Sequence, residues 1–309
     1  MTFESPIIIR ALTSASLAGL LFSAGLGLRW FDVFYALRRA RLAWILPVNF
    51  ILVPVAAFAL IRLFQLPLDI AAGIILLAAS PFAPVLPTFA RLAKGNLALA
   101  SALTGIFPLL SAFVTPVICL VALRPILGLL PWKFDVGSTL LVLAATITLP
   151  LALGVTCRHY LSALSERLLK PIQVLAETIG AIALIYVSVT EFDAILVTGW
   201  KALLAMALLS EISFLAGYLV SGPAPAARVV VALGTANRNI ALALLIAVAR
   251  FPGTPIVAAV VANGLLLIAL GLVHVGLFRW IFTATAVRSN GSKQSMASHE
   301  RQFGRTAEK

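Results

Sequence analysis

The chain has 309 residues, of which 61% are hydrophobic and only 11% are charged. A soluble domain of this composition would have too few polar residues to cover its surface, so the sequence indicates a polytopic membrane protein. The net charge of +12 does not indicate a nucleic-acid-binding protein, because the basic residues cluster in short loops and in the tail. Cys119 and Cys157 lie in or beside apolar stretches without metal-ligand spacing, which argues against a disulfide framework.

The apolar residues fall into nine long stretches. About twenty apolar residues are needed to cross the hydrocarbon core of a bilayer, so each stretch predicts one transmembrane helix. The first carries Arg10 and is too long for the hydrophobic part of a signal peptide, so it counts as a span. The nine spans form one all-α transmembrane domain, residues 1–282, and the polar, Ser-rich and basic tail 283–309 is predicted to be disordered. The predicted spans are residues 6–28, 41–64, 68–92, 97–123, 138–158, 171–190, 197–221, 226–250 and 254–282.

Basic residues are distributed unevenly between the loops on the two sides of the membrane. Loops rich in Lys and Arg stay in the cytoplasm, so the unevenness predicts the orientation. The tail falls on the richer side, which places the C-terminus in the cytoplasm and the N-terminus outside. The richer set contains Arg29, Arg38, Arg39, Arg41, Arg91, Lys94, Arg158, Arg167, Lys170 and Arg228, whereas the poorer set contains Arg62, Arg124, Lys133, Lys201 and Arg250, partly offset by acids.

Two of the predicted spans contain residues that interrupt a helix. The third span holds Pro81, Pro84 and Pro87, which remove backbone donors and clash with the preceding turn. The eighth is interrupted at "GTANRN", where Gly234 permits unusual backbone angles and two asparagines can bond the freed backbone groups. One proline commonly only kinks a membrane helix, but three prolines and a matching polar break predict non-helical backbone at membrane depth. Such paired interruptions in two chain halves are typical of a transporter substrate site.

Several motifs resemble the bile acid:sodium symporter family. They are the basic loop after the first span, an Asn-Phe-x-x-x-Pro motif (Asn49, Phe50, Pro54), the segment "LAKGNLALA" after the first break and "ARVVVALGTANRNIALALLIA" at the second. The resemblance covers nearly the whole chain. It implies a secondary transporter of the bacterial plasma membrane with two inverted repeats and two broken helices that cross. The first span is similar to the family's second, so the repeats are expected to contain four and five helices.

The chain departs from the family at the positions that the resemblance assigns to sodium. A hard cation needs several oxygen ligands, preferably with a carboxylate among them, and too few remain here. Sodium coupling is therefore doubtful, and the sequence shows no other metal or cofactor motif. The family's glutamate falls on Ala232, its glutamine on Ala236, its Ser-Asn pair on Leu86 and Pro87 and one hydroxyl on Ala100; Asn49, Thr104 and Asn237 remain as residual ligands.

Arg238 is a permanent cation in the middle of the eighth span. An arginine at the centre of an apolar helix costs roughly 2.5–3.5 kcal/mol even on an insertion scale, so it needs a function or a partner. One hypothesis is that its guanidinium replaces a bound cation and holds an anionic substrate through two parallel hydrogen bonds. The alternative is static pairing with Glu211 of the preceding span. The sequence leaves both open.

Other polar residues in the spans are candidates for the lining of a transport cavity. Glu177 is either a proton-coupling acid or a carboxyl kept neutral by burial, and Glu211 is the second candidate for coupling. Hydroxyl side chains also hydrogen-bond routinely to the backbone of their own helix, so each predicted serine or threonine could serve the helix instead of a transport cavity. The predicted substrate-binding residues are Arg238, Asn237, Asn239, Thr235, Asn49, Thr104, Ser80, Pro84 and Thr88.

Nothing in the sequence indicates an enzyme, because there is no glycine-rich phosphate loop, no His/Glu metal motif and no Gly-x-Ser-x-Gly elbow. The leading interpretation is a secondary transporter of small organic anions that works by alternating access around the two breaks. A related permease, for example for a metalloid oxyanion, is the second; no cysteine falls at either break. A membrane sensor is the third, and it would need more than a short polar tail. The expected partners are the lipid bilayer and the small organic anion, not a nucleic acid.

Overall fold

The computed structural model describes residues 5–29, 31, 34, 38, 40–127 and 135–306 of the chain, with side chains described as far as Ile281. Two residues of the orientation argument, Arg39 and Lys133, lie outside the described residues. Everything described is helix or loop, which confirms the prediction of an all-α membrane protein. Eight helical stretches within these ranges are long and apolar enough to cross a membrane. The remaining predicted span, 68–92, is one of the two that are interrupted.

The helices follow the predicted spans closely. Among the described residues they are numbered here in chain order, and the π-helical segments π1 and π2 each continue an α-helix without a break. The helices are α1 (Ser5–Gly27), α2 (Leu42–Pro47) with π1 (Val48–Leu52) and α3 (Val53–Phe64), α4 (Leu68–Ala78), α5 (Leu86–Leu92), α6 (Leu97–Leu127), α7 (Val136–Leu143) with π2 (Ala144–Thr148) and α8 (Leu149–Tyr160), α9 (Ser162–Thr190), α10 (Phe192–Leu196), α11 (Trp200–Val220), α12 (Pro225–Ala236), α13 (Ile240–Arg250) and α14 (Ile256–Thr306).

The chemistry of single residues explains where several helices begin and end. Asp135 caps α7 by accepting hydrogen bonds from the backbone N–H groups of Gly137 and Ser138. α12 begins at Pro225, where the fixed φ of proline suits a first turn and its missing N–H costs nothing. α3 ends at Gln65, which adopts a left-handed conformation with φ of 50°. These ends place the connections between the spans within a few residues of their predicted positions.

Both predicted breaks exist, although their limits differ from the prediction. The first covers residues 79–85 between α4 and α5, and the second covers residues 237–239 between α12 and α13. The prediction of non-helical backbone at 81–87 and 234–239 was therefore wrong at residues 86–87 and 234–236, which include Pro87 and Gly234. Pro87 lies in the first turn of α5, where proline is tolerated. Gly234 remains helical in α12 and serves a packing role instead.

Two other boundaries differ from the prediction. α9 begins at Ser162 rather than near residue 171, because Arg167 and Lys170 are helix-compatible residues that extend the helix before its apolar part. α14 continues as far as Thr306, through the tail for which the composition predicts disorder. The end of the tail, 307–309, lies outside the described residues, and the disorder of the tail stays a prediction.

The interrupted helices form the centre of the molecule. In α12 and α13, nearly every residue from Val229 to Val248 is buried, whereas α9 exposes much of its surface. α4 packs against α14, and α12 packs against α11. α1 lies between α9, α8 and α13. Irregular backbone in a membrane is tolerated only where protein buries it or where it lines a cavity. The bundle satisfies this condition by surrounding both breaks with continuous helices.

Candidate functional site

The two breaks cross and hydrogen-bond to each other through their backbones. The N–H of Ala83 donates to the carbonyl oxygen of Asn237 at 3.1 Å, and the N–H of Asn239 donates to the carbonyl oxygen of Ser80 at 2.8 Å. Each break thereby supplies a partner for the backbone groups that the other has lost, which is how buried non-helical backbone avoids unpaired donors and acceptors. This direct contact agrees with the crossing of two broken helices that the resemblance to the family implies.

Gly234 allows this close approach. A Cβ atom at this position would lie 2.2 Å from Cε1 of Phe82, so only glycine fits beneath the ring. Phe82 itself has a φ of 55°, which is rare for a bulky residue. Its ring is stacked on Phe107 at a centroid distance of 3.9 Å. Phe82 of the first break thus packs directly against α12, the helix that leads into the second break.

Arg238 lies at the centre of the second break and is only 3% exposed. Its Nη1 atom donates to Oδ1 of Asn49 at 3.2 Å. Its Nε and Nη2 atoms have no hydrogen-bond partner among the described residues. These two atoms form one edge of the guanidinium, and that edge matches the two oxygens of a carboxylate. Arg238 is therefore fixed at one end and keeps a bidentate donor pair without a protein partner.

Asn49 orients the guanidinium. It lies in the π-helical segment π1 and is fully buried. Its Nδ2 atom donates to the carbonyl oxygen of Ile45 at 3.0 Å and to Oγ1 of Thr235 at 3.2 Å, which leaves Oδ1 to accept from Arg238. Single π-helical turns are frequent at functional sites. Here one connects the second predicted span to the crossing.

A cavity of ≈ 270 Å³ lies beside the crossing. Arg238 and Asn239 of the second break and Ala83, Pro84 and Val85 of the first line it on one side. The N-terminus of α13, where the helix dipole favours negative charge, also lines the cavity. The opposite wall comes from α1, α9 and α14, with Thr13, Ser16, Leu20, Glu177, Leu184 and Ile268 among its residues. Apart from Arg238 and Glu177, no charged side chain among the described residues lines this first cavity.

Arg238 also borders a much smaller space of ≈ 10 Å³, shared with Asn263, Ser210 and Ser213. A space of this size holds about one water molecule. The first cavity is therefore the only one of the two that can accommodate an organic ligand next to the guanidinium.

A second cavity of ≈ 220 Å³ lies further along α1 and shares Leu20 and Pro84 with the first. Its lining is more polar and includes Arg91, Ser23, Ser101, Thr104 and Thr88. Between the two cavities lies a group of three residues, Thr88, Gln173 and Glu177. Oε1 of Glu177 accepts from Oγ1 of Thr88 at 3.2 Å and from Nε2 of Gln173 at 2.9 Å.

The remaining predicted substrate-binding residues separate into two groups. Pro84 and Asn239 line the first cavity, and Thr88 and Thr104 line the second. Asn239 also caps α13, because its Oδ1 atom accepts from the N–H of Leu242. The others line neither cavity and hold the crossing together: Ser80 and Asn237 through their backbones, and Thr235 through Asn49. Of the three residual sodium ligands, Thr104 lines the second cavity and Asn49 is bonded to Arg238.

Glu211 is not the partner of Arg238, so the hypothesis of static pairing is wrong. Glu211 bonds to Nε2 of His274 at 3.0 Å, and its side chain is 51% exposed on the outer face of α11. His274 is buried and stacked on Phe214 at 4.0 Å. Glu211 therefore lines neither cavity, because the rotation of α11 turns it away from the crossing. Its role in coupling stays a prediction without support from this position.

Sequence reasoning missed the contribution of α1. Small polar residues recur on this helix at Thr13, Ser16 and Ser23, with Leu20 and Gly27 between and after them. This spacing puts them on one face, and the structure places that face along both cavities. Gln173, one turn before Glu177 on α9, was missed as well. The stripe of small polar residues in an otherwise apolar span was the signal that could have found them.

The chain matches the model of the sodium bile acid symporter family over residues 15–200. It belongs to the sodium bile acid symporter family. The match confirms the resemblance drawn from the motifs, and the family is a transporter family. A protein of Bacillus subtilis (strain 168) described as an uncharacterized sodium-dependent transporter, YocS, is 26% identical over 174 residues, which is 55% of this chain. The match spans about half the length of that relative, 52%.

In this member of the sodium bile acid symporter family, apolar packing surrounds the positions to which the resemblance assigns sodium ligands. Leu86, Ala100 and Ala232 belong to one hydrophobic cluster together with Phe82 and Phe107. All five side chains are essentially inaccessible. Among the described residues, no group of three or more His, Cys, Asp or Glu side chains is placed to hold a metal ion. At Leu86, Ala100 and Ala232, hydrocarbon side chains stand where the resemblance expects oxygen ligands, whereas Asn49, Thr104 and Asn237 keep side-chain oxygens.

Proposed function

We propose that this protein is a secondary transporter of small organic anions and that Arg238 binds the anionic group. The observation that carries the proposal is the Nε–Nη2 edge of the buried Arg238 guanidinium, which has no partner among the described residues, in a residue that lines the first cavity. A guanidinium buried without a carboxylate in direct hydrogen-bond contact is costly. A carboxylate or sulfonate bound to that edge supplies both the opposite charge and two hydrogen-bond acceptors. The N-terminus of α13 adds a smaller attraction for the same group.

The size and lining of the first cavity support a small anion with an apolar body. Its volume of ≈ 270 Å³ is just below the roughly 300–1,000 Å³ typical of pockets for drug-sized ligands. Away from Arg238 the wall consists largely of Leu20, Ala183, Leu184 and Leu244. Neither Cys119 nor Cys157 lines either cavity, so nothing in the described residues favours the alternative of a permease for a thiol-binding metalloid.

The same geometry supports transport without sodium at the family's positions. The guanidinium of Arg238 donates to Asn49, which is one of the residual ligands, and the neighbouring positions are packed with Phe82, Phe107 and Leu86. A covalently attached cation then performs the charge compensation that a bound sodium ion would otherwise provide. The relative's sodium dependence, stated in its description, does not extend to this chain under the proposal.

Two cavities that share Leu20 and Pro84 support alternating access around the crossing. We propose that the first cavity binds the anion and that the second, next to Arg91, belongs to the cytoplasmic path. This orientation follows from the distribution of basic loops, with the N-terminus outside and the C-terminus in the cytoplasm of a plasma membrane. Cysteines introduced at Ser138 and Ser292 should then react with impermeant reagents from opposite sides, Ser138 from outside. Labelling from one side only would contradict the orientation.

A matched series of ligands tests the substrate class. Hexanoate and hexanesulfonate carry one negative charge, whereas hexanamide has a similar body without it. On the purified protein, the two anions should bind and raise the unfolding temperature by mass action, and hexanamide should do neither. Affinities should be the same in sodium and in choline buffers. A saturable requirement for sodium would show that backbone carbonyls replace the missing ligands.

Substitutions at Arg238 test the assigned residue. Arg238→Lys keeps the charge and loses the planar fork, so the affinity for hexanesulfonate should fall about tenfold or more, which corresponds to roughly 1.4 kcal/mol. Arg238→Ala should abolish binding of both anions. Arg250→Ala is the matched control, because Arg250 ends α13, the helix that follows the second break, and lines neither cavity. Undiminished anion affinity in Arg238→Ala would refute the proposed function.

A further inference from the structure

The first cavity contains two charged side chains of opposite sign. Arg238 lies on the side of the crossing and Glu177 lies on the wall formed by α9. The rest of the lining among the described residues is apolar or carries neutral polar groups. A net charge enclosed by such a wall is costly, because hydrocarbon cannot replace the hydration that the charge has lost. The cavity therefore favours states in which its charges sum to zero.

We propose that Glu177 binds one proton together with each monovalent anion, which makes the protein an electroneutral proton–anion symporter. Before the anion binds, the guanidinium of Arg238 and the carboxylate of Glu177 cancel. A bound anion adds one negative charge, and a proton taken up from water at a carboxylate oxygen of Glu177 restores the sum to zero. The inference rests on the anion transport proposed above and identifies its coupling ion.

The position of Glu177 suits a group that must exchange protons with both sides of the membrane. Its carboxylate borders the first cavity, and its Oε1 atom accepts from Thr88 and Gln173, which line the second. Both donors are neutral side chains, so neither of them fixes Glu177 in a permanent ion pair. The carboxyl can therefore gain a proton when the anion arrives and lose it when the anion leaves.

The other titratable groups near α9 do not compete for this role. Arg91 is the one charged residue that lines the second cavity among the described residues, and it has no carboxyl that could take the place of Glu177. On the helices that pack against α9, the remaining titratable groups line neither cavity: Arg10 on α1, Cys157, Arg158, His159 and Tyr160 on α8, Asp193 on α10, and His274 and Arg279 on α14. The same holds for Glu166, Arg167, Lys170 and Tyr186 on α9 itself.

Proton uptake on binding is the direct measurement. Hexanesulfonate is the probe, because it stays charged at every working pH and any proton taken up must go to the protein. Calorimetric titration of the purified full-length protein in buffers of different ionisation enthalpy should give about one proton taken up per anion bound near neutral pH. The affinity should rise about tenfold for each pH unit of acidification while Glu177 starts ionised.

Variants assign the proton. Glu177→Gln should still bind hexanesulfonate, with no proton uptake and with an affinity that no longer depends on pH. Glu177→Asp keeps a titratable carboxyl and should retain the uptake. Glu211→Gln is the matched control, since its carboxyl lies on the outer face, and it should behave as the wild type does. If Glu177→Gln is not recovered as folded protein, the uptake by the wild type and by Glu177→Asp still decides the question.

The outcomes that overturn the inference differ from those that overturn the proposed function. Hexanesulfonate binding by the wild type without proton uptake, or uptake that disappears in Glu211→Gln, rules out Glu177 as the coupling group and leaves anion binding intact. Failure of every anion to bind, or anion binding that survives in Arg238→Ala, refutes the proposed function instead.

Discussion

The two breaks at the crossing solve the same structural problem with different chemistry. The first, residues 79–85, contains two prolines and a bulky residue in a left-handed conformation, and the second, residues 237–239, contains two asparagines and an arginine. Neither type of break alone would satisfy its buried backbone. The first break therefore contributes rigid, apolar backbone and the second contributes a charged side chain. The site forms because the two breaks are paired.

The proline break contributes rigid geometry and apolar surface. Pro81 and Pro84 need no hydrogen-bond acceptor for a backbone N–H, and Phe82 is stacked on Phe107 against Gly234. The asparagine break contributes polar contacts. Asn239 caps α13, Asn237 donates to the carbonyl oxygen of Leu233, and Arg238 donates to Asn49. Substitutions in the first break should therefore change stability, whereas those in the second should change anion binding as well.

The largest effect on stability is expected from Gly234→Ala. The new Cβ would lie 2.2 Å from Cε1 of Phe82, and the ring cannot retreat because Phe107 is stacked behind it. We expect a loss of about 3 kcal/mol in the free energy of unfolding, the upper range for overpacking. Thermal unfolding of the purified protein measures it. Gly276→Ala is the control, because nothing lies within 4 Å of its Cβ position. Equal stability of the two variants would contradict the close approach of the breaks.

Asn49 should show the next largest effect. Asn49→Ala leaves Nη1 of the buried guanidinium without its acceptor, which should cost about 2 kcal/mol of stability. It should also weaken the binding of hexanesulfonate, because the guanidinium loses its orientation. Asn49→Asp separates the two effects. An aspartate at this position pairs with Arg238, so the binding of anions should weaken while the protein stays folded. Stronger anion binding in Asn49→Asp would show that Arg238 does not meet the anion.

A smaller effect is expected at the cap of α13. Asn239→Ala removes the oxygen that accepts from the N–H of Leu242, and the loss of such a cap typically costs about 1 kcal/mol. Asn239→Ser keeps an acceptor and should recover most of that stability in thermal unfolding. Because Asn239 also lines the first cavity, the affinity for hexanesulfonate should change slightly in both variants. Identical unfolding temperatures for wild type and Asn239→Ala would show that the cap is dispensable.

The smallest effect is expected in the proline break. Pro84→Ala leaves the backbone bonds between Ala83 and Asn237 and between Asn239 and Ser80 in place. Its cost should come from the freer unfolded chain, on the order of 0.5–1 kcal/mol. Anion affinity should remain within about threefold of the wild type, which corresponds to less than about 1 kcal/mol. If Pro84→Ala abolished anion binding, the first break would take part in binding the anion and would not contribute rigid geometry alone.

The helices and breaks followed from local sequence patterns, and the site followed only in part. Three prolines and the "GTANRN" segment predicted both interruptions, yet they placed Pro87 and Gly234 in non-helical backbone, where the structure has helix. Arg238 was identified because a cation in an apolar span is costly wherever the helix lies. Its partner was not identified from the sequence. The acid in the preceding span, Glu211, lies 27 positions away in the chain and was the expected partner. In the structure the partner is Asn49, which is 189 positions away.

The sequence was enough to identify a polytopic helical membrane protein of a transporter family with two interrupted spans. The spans follow from the length of the apolar stretches, the interruptions follow from the backbone chemistry of proline, glycine and asparagine, and the family follows from short motifs. All of these are local features of the chain. Only the tertiary structure decided that Arg238 bonds to Asn49, that Glu177 shares its cavity and that Glu211 lies on the outer face with His274. In a bundle of uniformly apolar helices, the rotation of each helix decides which polar side chains meet. Packing between neighbouring helices sets that rotation, and it cannot be predicted from the length of an apolar stretch.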